Sequence, residues 1–214
     1  MTDTVAGPLP PFIPELRQAI RENLKTQTRR VIKEPALDDA TPTRYGKYTD
    51  TWGCFFKRSD TDALRFVACR YGEPGQVRYM REPIYRNEHN FAVFLDDGIP
   101  VRNKDGRMVP WRWKVNTLSG LFMPSEYART FVKMERIHVE RVQEISARDA
   151  LAEGISDRVL MPADTDTGSA LFHATAQRQI IDKFAFLWDK INFARGFPWQ
   201  SNPPVWVMTF HALS

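Results

Sequence analysis

The stretch "RTFVKMERIHVERVQEI", residues 129–145, alternates apolar and polar side chains over a long run. Successive side chains of a strand point to opposite faces, so this period-two pattern predicts a half-buried strand. Phe131, Lys133, Glu135 and Ile137 fall on one side, and Val132, Met134 and Arg136 on the other. The run is too long for one flat strand, so a bend or bulge is expected near Ile137. "NPPVWVMTFHAL" predicts a second strand, with Val205, Val207 and Thr209 against Trp206, Met208 and Phe210.

Helices intervene singly. "IPELRQAIRENLK" places Ile13, Leu16, Ile20 and Leu24 at helical spacing and predicts a helix from about residue 14 to 24. Pro14 suits its first turn, where a missing N–H costs little. "SARDALAEGI" predicts a short helix with Ser146 as cap, Asp149 completing a capping-box pattern and Gly154 as the stop. "ATAQRQIIDKFAFLWDKIN" carries the strongest helix signal, with Ile180, Phe184, Leu187, Trp188 and Ile191 on one stripe. "TRRVIK" reads as extended. "GEPG" is a turn leading into alternation at Val77, Tyr79 and Arg81, and "NFAVFLDDGIPV" reads as strand, turn, strand. Residues 35–65 read as a long polar loop with a short strand at "WGCFF", and 156–170 as a second loop. The fold class is therefore α+β, a small barrel or curled sheet with helices on its outside. Without an obvious linker, residues 13–214 form one domain, preceded by a proline-rich extended arm over 1–12.

Composition bounds the function. Apolar residues make up 43% and charged residues 26% of the 214, which suits a globular protein with a real core. No apolar run is long enough to span a membrane, and the N-terminus does not have the basic-then-apolar order of a secretory signal. The only cysteines, Cys54 and Cys69, predict two reduced thiols and a cytoplasmic setting. With no CxxC and four scattered histidines, no metal site is expected, and no glycine-rich phosphate loop or dinucleotide fingerprint implies a cofactor.

Net charge is +4. Its distribution is more informative. "LKTQTRRVIKEP" sets Lys25, Arg29, Arg30 and Lys33 around Thr26 and Thr28, with no acid before Glu34. "VRNKDGRMVPWRWK" interleaves Arg102, Lys104, Arg107, Arg112 and Lys114 with Trp111 and Trp113. Cations beside exposed aromatics suit phosphate contact with base stacking; the alternative is a solvated hairpin whose tryptophans pack inward.

Four blocks, "LKTQTRRVIK", "YGEPGQVRYMREP", "IHVERVQEISARDALAEGI" and "FLWDKIN…GFPWQSNPPVWVMTF", together resemble the ASCH domain, a PUA-like β-barrel, in the larger form common in phage and prophage genomes. They cover about half of the chain and leave insertions around 36–65, 85–122 and 156–178. The resemblance implies binding of RNA or a modified nucleoside, with DNA as a further ligand. It also opens two activities known in the family: removal of the acetyl group from N4-acetylcytidine, and ribonuclease action. A phage origin would place the protein in the cytoplasm of a bacterial host. The amidohydrolase members use a Lys, a Thr three residues later and a Glu on a short helix before the last strand. Those positions fall on Lys25, Thr28 and Glu153, with an Arg of that family falling on Arg30.

Amide hydrolysis needs a nucleophile, a proton acceptor and stabilisation of an oxyanion. Lys25 can take the Thr28 proton only if burial or the charges of Arg29 and Arg30 lower its pKa, whereas an adjacent ionised Glu153 raises it. Lys25 and Thr28 meet only if a turn or helix end carries "KTQT", because on a straight strand they face opposite ways. Each residue has an ordinary reading as well: Lys25 as a helix-end cation, Thr28 as a solvated threonine, Glu153 as a surface acid. Arg29 and Arg30 suit phosphate or carboxylate clamps. Arg81 reads as a nucleic-acid contact or as the partner of Glu82 in an internal ion pair. Three classes of function follow: an enzyme on modified nucleosides or RNA, a nucleic-acid-binding module, and an accessory protein that binds a host or phage protein through the insertions.

Overall fold

The structure is a computed structural model that describes residues 5–34, 37, 40–155 and 170–213, with backbone alone for 170–174. Among the described residues eleven strands and three α-helices follow in the order β1 (Val5–Pro8), α1 (Pro14–Arg21), β2 (Gln27–Val31), β3 (Ala40–Tyr48), β4 (Thr51–Arg58), β5 (Leu64–Ala68), β6 (Val77–Tyr79), β7 (Ile84–Arg86), β8 (Ala92–Phe94), β9 (Thr117–Leu118), β10 (Phe131–Arg141), α2 (Ala147–Ala152), α3 (Ala170–Asn192) and β11 (Pro204–Leu213). The class is mixed α+β. Among the described residues the strands make three open sheets, in the orders β1-β6-β10-β11-β2, β3-β4-β5 and β8-β7-β9, and no closed barrel. Of the loop expected over 156–170, residues 156–169 lie outside the described residues, and Ala170 is instead the first residue of α3.

β10 and β11 pair antiparallel along almost their whole length and form the spine of the largest sheet. The bulge falls between Met134 and Arg136, slightly before the expected position. Its consequence is a change of parity. Glu135 is the extra residue, so Ile137 and Val139 join Val132 and Met134 in the first core. Trp206, Met208 and Phe210 from β11 enter the same core, while Val205 and Val207 face the other way.

The region expected to be a loop, 35–65, instead contains most of the three-stranded sheet β3-β4-β5. Ala40, Cys54 and Phe56 turn from it into the first core, which the two sheets therefore share. The period-two signal was hidden because β3 is exposed along most of its length. Its hold on the spine is polar: the Tyr45 hydroxyl donates to Val139 O at 3.2 Å and accepts from Val139 N at 3.0 Å, at the bulged strand. Gly53 is required there, since a Cβ would lie 2.3 Å from Val67 O.

α2 and α3 cover the opposite face of the spine sheet. Ile180, Phe184 and Trp188 of the expected stripe are buried against Val142, Ile145, Ala150, Val205 and Val207. Each such side chain contributes about 1.5–3 kcal/mol when fully buried. The third sheet, with Phe94, Val101, Trp111 and Tyr127, has its own core. Ionic contacts join it to α1: Arg17 grips Asp96 through two bonds of 2.7 and 2.5 Å. No helix among the described residues is long and apolar enough to cross a membrane.

Candidate functional site

α1 ends at Arg21, earlier than the periodicity predicts, and Leu24 is exposed instead of completing the stripe. Asn23 takes a left-handed conformation with φ 55°, and the N–H groups of Leu24 and Lys25 both return to Ala19 O. That tight exit throws Lys25 inward. Thr26 N then donates to Ala152 O at 2.9 Å, which ties the approach of β2 to the end of α2.

α2 forms as its sequence predicts. Ser146 Oγ accepts from Asp149 N at 3.1 Å, satisfying one of the free donors of the first turn. Glu153 occupies the cap position at its end, followed by Gly154 at φ +89°, where glycine has little steric cost. A Cβ at Gly154 would stand 3.3 Å from the Lys25 Cβ, so the close approach also favours glycine.

These two ends meet. Lys25 Nζ donates to Glu153 Oε2 at 2.6 Å, to Glu153 O at 2.8 Å and to Gln27 O at 2.7 Å. The ammonium thus has all three hydrogens engaged. Glu153 Oε1 accepts from Arg29 Nη1 at 3.2 Å, Arg29 Nε reaches Glu140 Oε1 at 2.7 Å, and Arg29 Nη1 bonds Gln27 Oε1 at 2.7 Å. Lys25, Thr28, Arg29 and Glu153 are all buried.

Burial pulls the Lys25 pKa down to about 8; Glu153 opposes this, while Arg30 and Arg29 add to it. Desolvation therefore wins the competition posed by the sequence and brings the amine's titration down to about pH 8, where the neutral form becomes accessible. Burial works to raise the Glu140 carboxyl, but His138 and Arg29 outweigh it and hold it below the usual carboxylate value.

Thr28 lies inside β2, beside Met208 in the register, on the face that looks into the first core. Gln27 and Arg29 occupy the other face. Among the described residues no hydrogen bond joins Thr28 to Lys25, because the turn expected to hold both ends at Thr26 and the strand begins at Gln27. Arg30 shares Thr28's face, with its Cζ 5.0 Å from the Phe12 ring centroid and Nη2 donating to Pro11 O at 2.9 Å. Lys25 Nζ is 5.6 Å from the same ring. Phe12 therefore lies against both cations.

The other expected contacts stand apart from this group. Arg81 does not pair with Glu82. That carboxylate, fully buried, accepts from Arg21 at 2.6 Å and from Arg129 at 2.7 and 3.1 Å, while Arg81 Nε is buried with no hydrogen-bond partner among the described residues. Trp111 is packed inward, its Nε1 donating to Val115 O at 2.9 Å. Trp113 is half-buried against it, with ring centroids 4.8 Å apart and Arg112 over its face at 5.4 Å.

Gln27, Glu140 and Asp149 were not singled out as site residues by the sequence. Strand parity could have found Gln27, which shares a face with Arg29 two residues on. Glu140 belongs to a strand whose parity the bulge reversed. Comparison with known protein families, curated proteins and solved structures finds no match to this chain.

Proposed function

We propose that the protein is an ASCH-like nucleoside- or nucleic-acid-binding protein whose Lys25, Thr28 and Glu153 hydrolyse an amide on a modified nucleoside. One observation carries this reading: Lys25 and Glu153, 128 residues apart, share a buried 2.6 Å ion pair in which the amine is depressed to about 8. The two sheets that share the first core support a PUA-like barrel opened along one seam.

In the proposed reaction, neutral Lys25 takes the Thr28 hydroxyl proton as Oγ1 attacks the acyl carbon. The departing amine then receives that proton, and water releases the acyl group from the threonine ester. Lys25 must first exchange one of its three acceptors for Thr28, and Gln27 O, one residue from Thr28, is suited to release it. Glu153 keeps the amine in place. Incubating the protein with a panel of acylated nucleosides, N4-acetylcytidine among them, tests the reading. Release of the free base amine by the parent chain and its loss in Lys25→Ala are expected; no turnover, or turnover undiminished in the variant, rejects it. RNA cleavage is tested in parallel with the same variant.

A second reading is supported by the third sheet, where Leu95, Ile99, Met108, Val115, Leu121 and Phe122 are exposed within one insertion. Apolar exposure of this density suits an accessory protein that binds another protein. Co-purification of a partner that is lost in Phe122→Ser would favour it.

A further inference from the structure

A separate concave site lies where the two sheets sharing the first core fail to join. β2 is the last strand of its sheet and β5 the last of its own. Residues 31–34 and 65–68 face each other across a cleft of about 310 Å³, with Tyr71 and Trp206 also in its lining. That volume lies at the lower end of the range of small-molecule sites, about 300–1,000 Å³.

The backbone at this seam has donors to offer. Phe210 N bonds Thr26 O and Ile32 N bonds Pro204 O, so the even-numbered residues of β2 serve β11. Val31 and Lys33 therefore direct their backbone groups toward the seam. Cys69 N bonds Trp52 O, and by the same alternation Phe66 and Ala68 do so from the β5 side.

Charge points the same way. Among the described residues Glu34 is the single carboxylate in the lining, and Arg65 neutralises it at 2.5 Å. Lys33 and Arg70 are exposed, and neither has a carboxylate partner among the described residues. Arg30 and Arg70 both act on the Tyr71 hydroxyl, and Arg195 is near enough to repel Arg30. The turn that carries Arg195 flanks the seam, since Lys33 Nζ is 6.0 Å from the Phe197 ring. Cations without a carboxylate partner among the described residues, edge N–H groups and an aromatic wall together match a phosphate with a planar base attached.

We propose that the seam binds a nucleoside 5′-phosphate, free or as one unit of a strand. Lys33, Arg70 and the edge N–H groups hold the phosphate, and the base lies against Tyr71. This deepens the nucleic-acid half of the reading above and does not depend on hydrolysis at Lys25.

Calorimetric titration of the full chain with the four common ribonucleoside 5′-monophosphates, their parent nucleosides and inorganic phosphate tests it. Binding of at least one nucleotide about tenfold tighter than its nucleoside or than phosphate is expected. Lys33→Gln/Arg70→Gln, both at exposed positions, should weaken that binding by about tenfold with an unchanged melting temperature. Tyr71→Ala should remove the advantage of nucleotide over phosphate. A 5′-phosphorylated hexaribonucleotide distinguishes the source: tighter, salt-dependent binding means one unit of a strand, and affinity equal to the mononucleotide means a free nucleotide. Absence of saturation by every nucleotide and by the hexamer, or full affinity in the double variant, overturns the proposal. Absent turnover of acylated nucleosides would end the hydrolytic reading without affecting this titration, and flat isotherms for every nucleotide and for the hexamer would end the seam site whatever the turnover.

Discussion

Glu153 Oε2 and Lys25 Nζ form an ion pair in which the side chains are 7% and 0% exposed. Removing one partner leaves the other charged and nearly dry. Lys25→Met and Glu153→Leu should each cost about 3–5 kcal/mol, whereas the double variant should cost clearly less than their sum. Urea unfolding of the three variants measures both. Strict additivity would mean that the two side chains do not interact.

The same pair sets a pH dependence. Lys25 has its folded pKa near 8 against an ordinary 10.5, so between these values the unfolded chain holds a proton that the folded chain has lost. Stability from this group therefore rises with pH across that window and is lost again as pH falls toward 8. Cys54 and Cys69, pushed up to about 11 by burial, act in the opposite sense above pH 9. Comparing the parent chain with Lys25→Met cancels the thiols. The parent should gain up to about 3 kcal/mol on the variant from pH 8 to 10.5. A difference that stays level across that range would contradict the burial of the amine.

Glu82 joins the third sheet to the body of the protein. It has no exposed surface and accepts from Arg21 and Arg129, while Arg129 also bonds Asp97 at 2.7 Å and lies 3.8 Å from the Phe94 ring centroid. Glu82→Gln should destabilise by about 3–5 kcal/mol. Hydrogen exchange should accelerate most in β7, β8 and β9. Uniform acceleration across all three sheets would show that the contact does not act locally.

Trp111 and Trp113 should separate in their effects. Trp111→Ala empties a core position and breaks the bond to Val115 O, costing about 3–5 kcal/mol. Trp113→Ala, at a half-buried site, should cost less. Neither should alter RNA affinity in the folded protein. Thermal unfolding followed by a filter-binding assay checks both, and a selective loss of binding in Trp113→Ala would restore that residue as a stacking platform.

What the sequence revealed follows from how local each signal is. Ser146, Asp149 and Gly154 specify α2 within a few residues: Ser146 caps it and Gly154 follows its end, as expected, while the Asp149 carboxylate accepts from the Ser146 hydroxyl instead of closing a capping box. β10 and β11 were legible because their alternation is long. The bulge at Glu135 was expected slightly later, and that small error reversed which side of β10 faces which core. Of the sheet β3-β4-β5 only the short strand at "WGCFF", within β4, was expected; β3 was missed because Thr41, Thr43 and Lys47 cover a strand that offers few side chains to the interior. The meeting of Lys25 with Glu153 was anticipated only through resemblance to a family, since no local pattern links residues so distant. Its companion Thr28 was assigned to the same turn, but the strand begins before it.

Lys25 has one further effect through the third of its bonds. Gln27 O, which it holds at 2.7 Å, belongs to an odd-numbered residue of β2 and so faces outward from the sheet, and Arg30 Nη1 approaches the next such oxygen, Arg29 O, at 3.3 Å. Two cationic side chains thus occupy acceptors that another chain would need in order to add itself to this border. Self-association by strand addition is a standing hazard of uncovered borders. Here the guard is part of the same buried ammonium that Glu153 holds, so the border of β2 and the ion pair depend on one side chain.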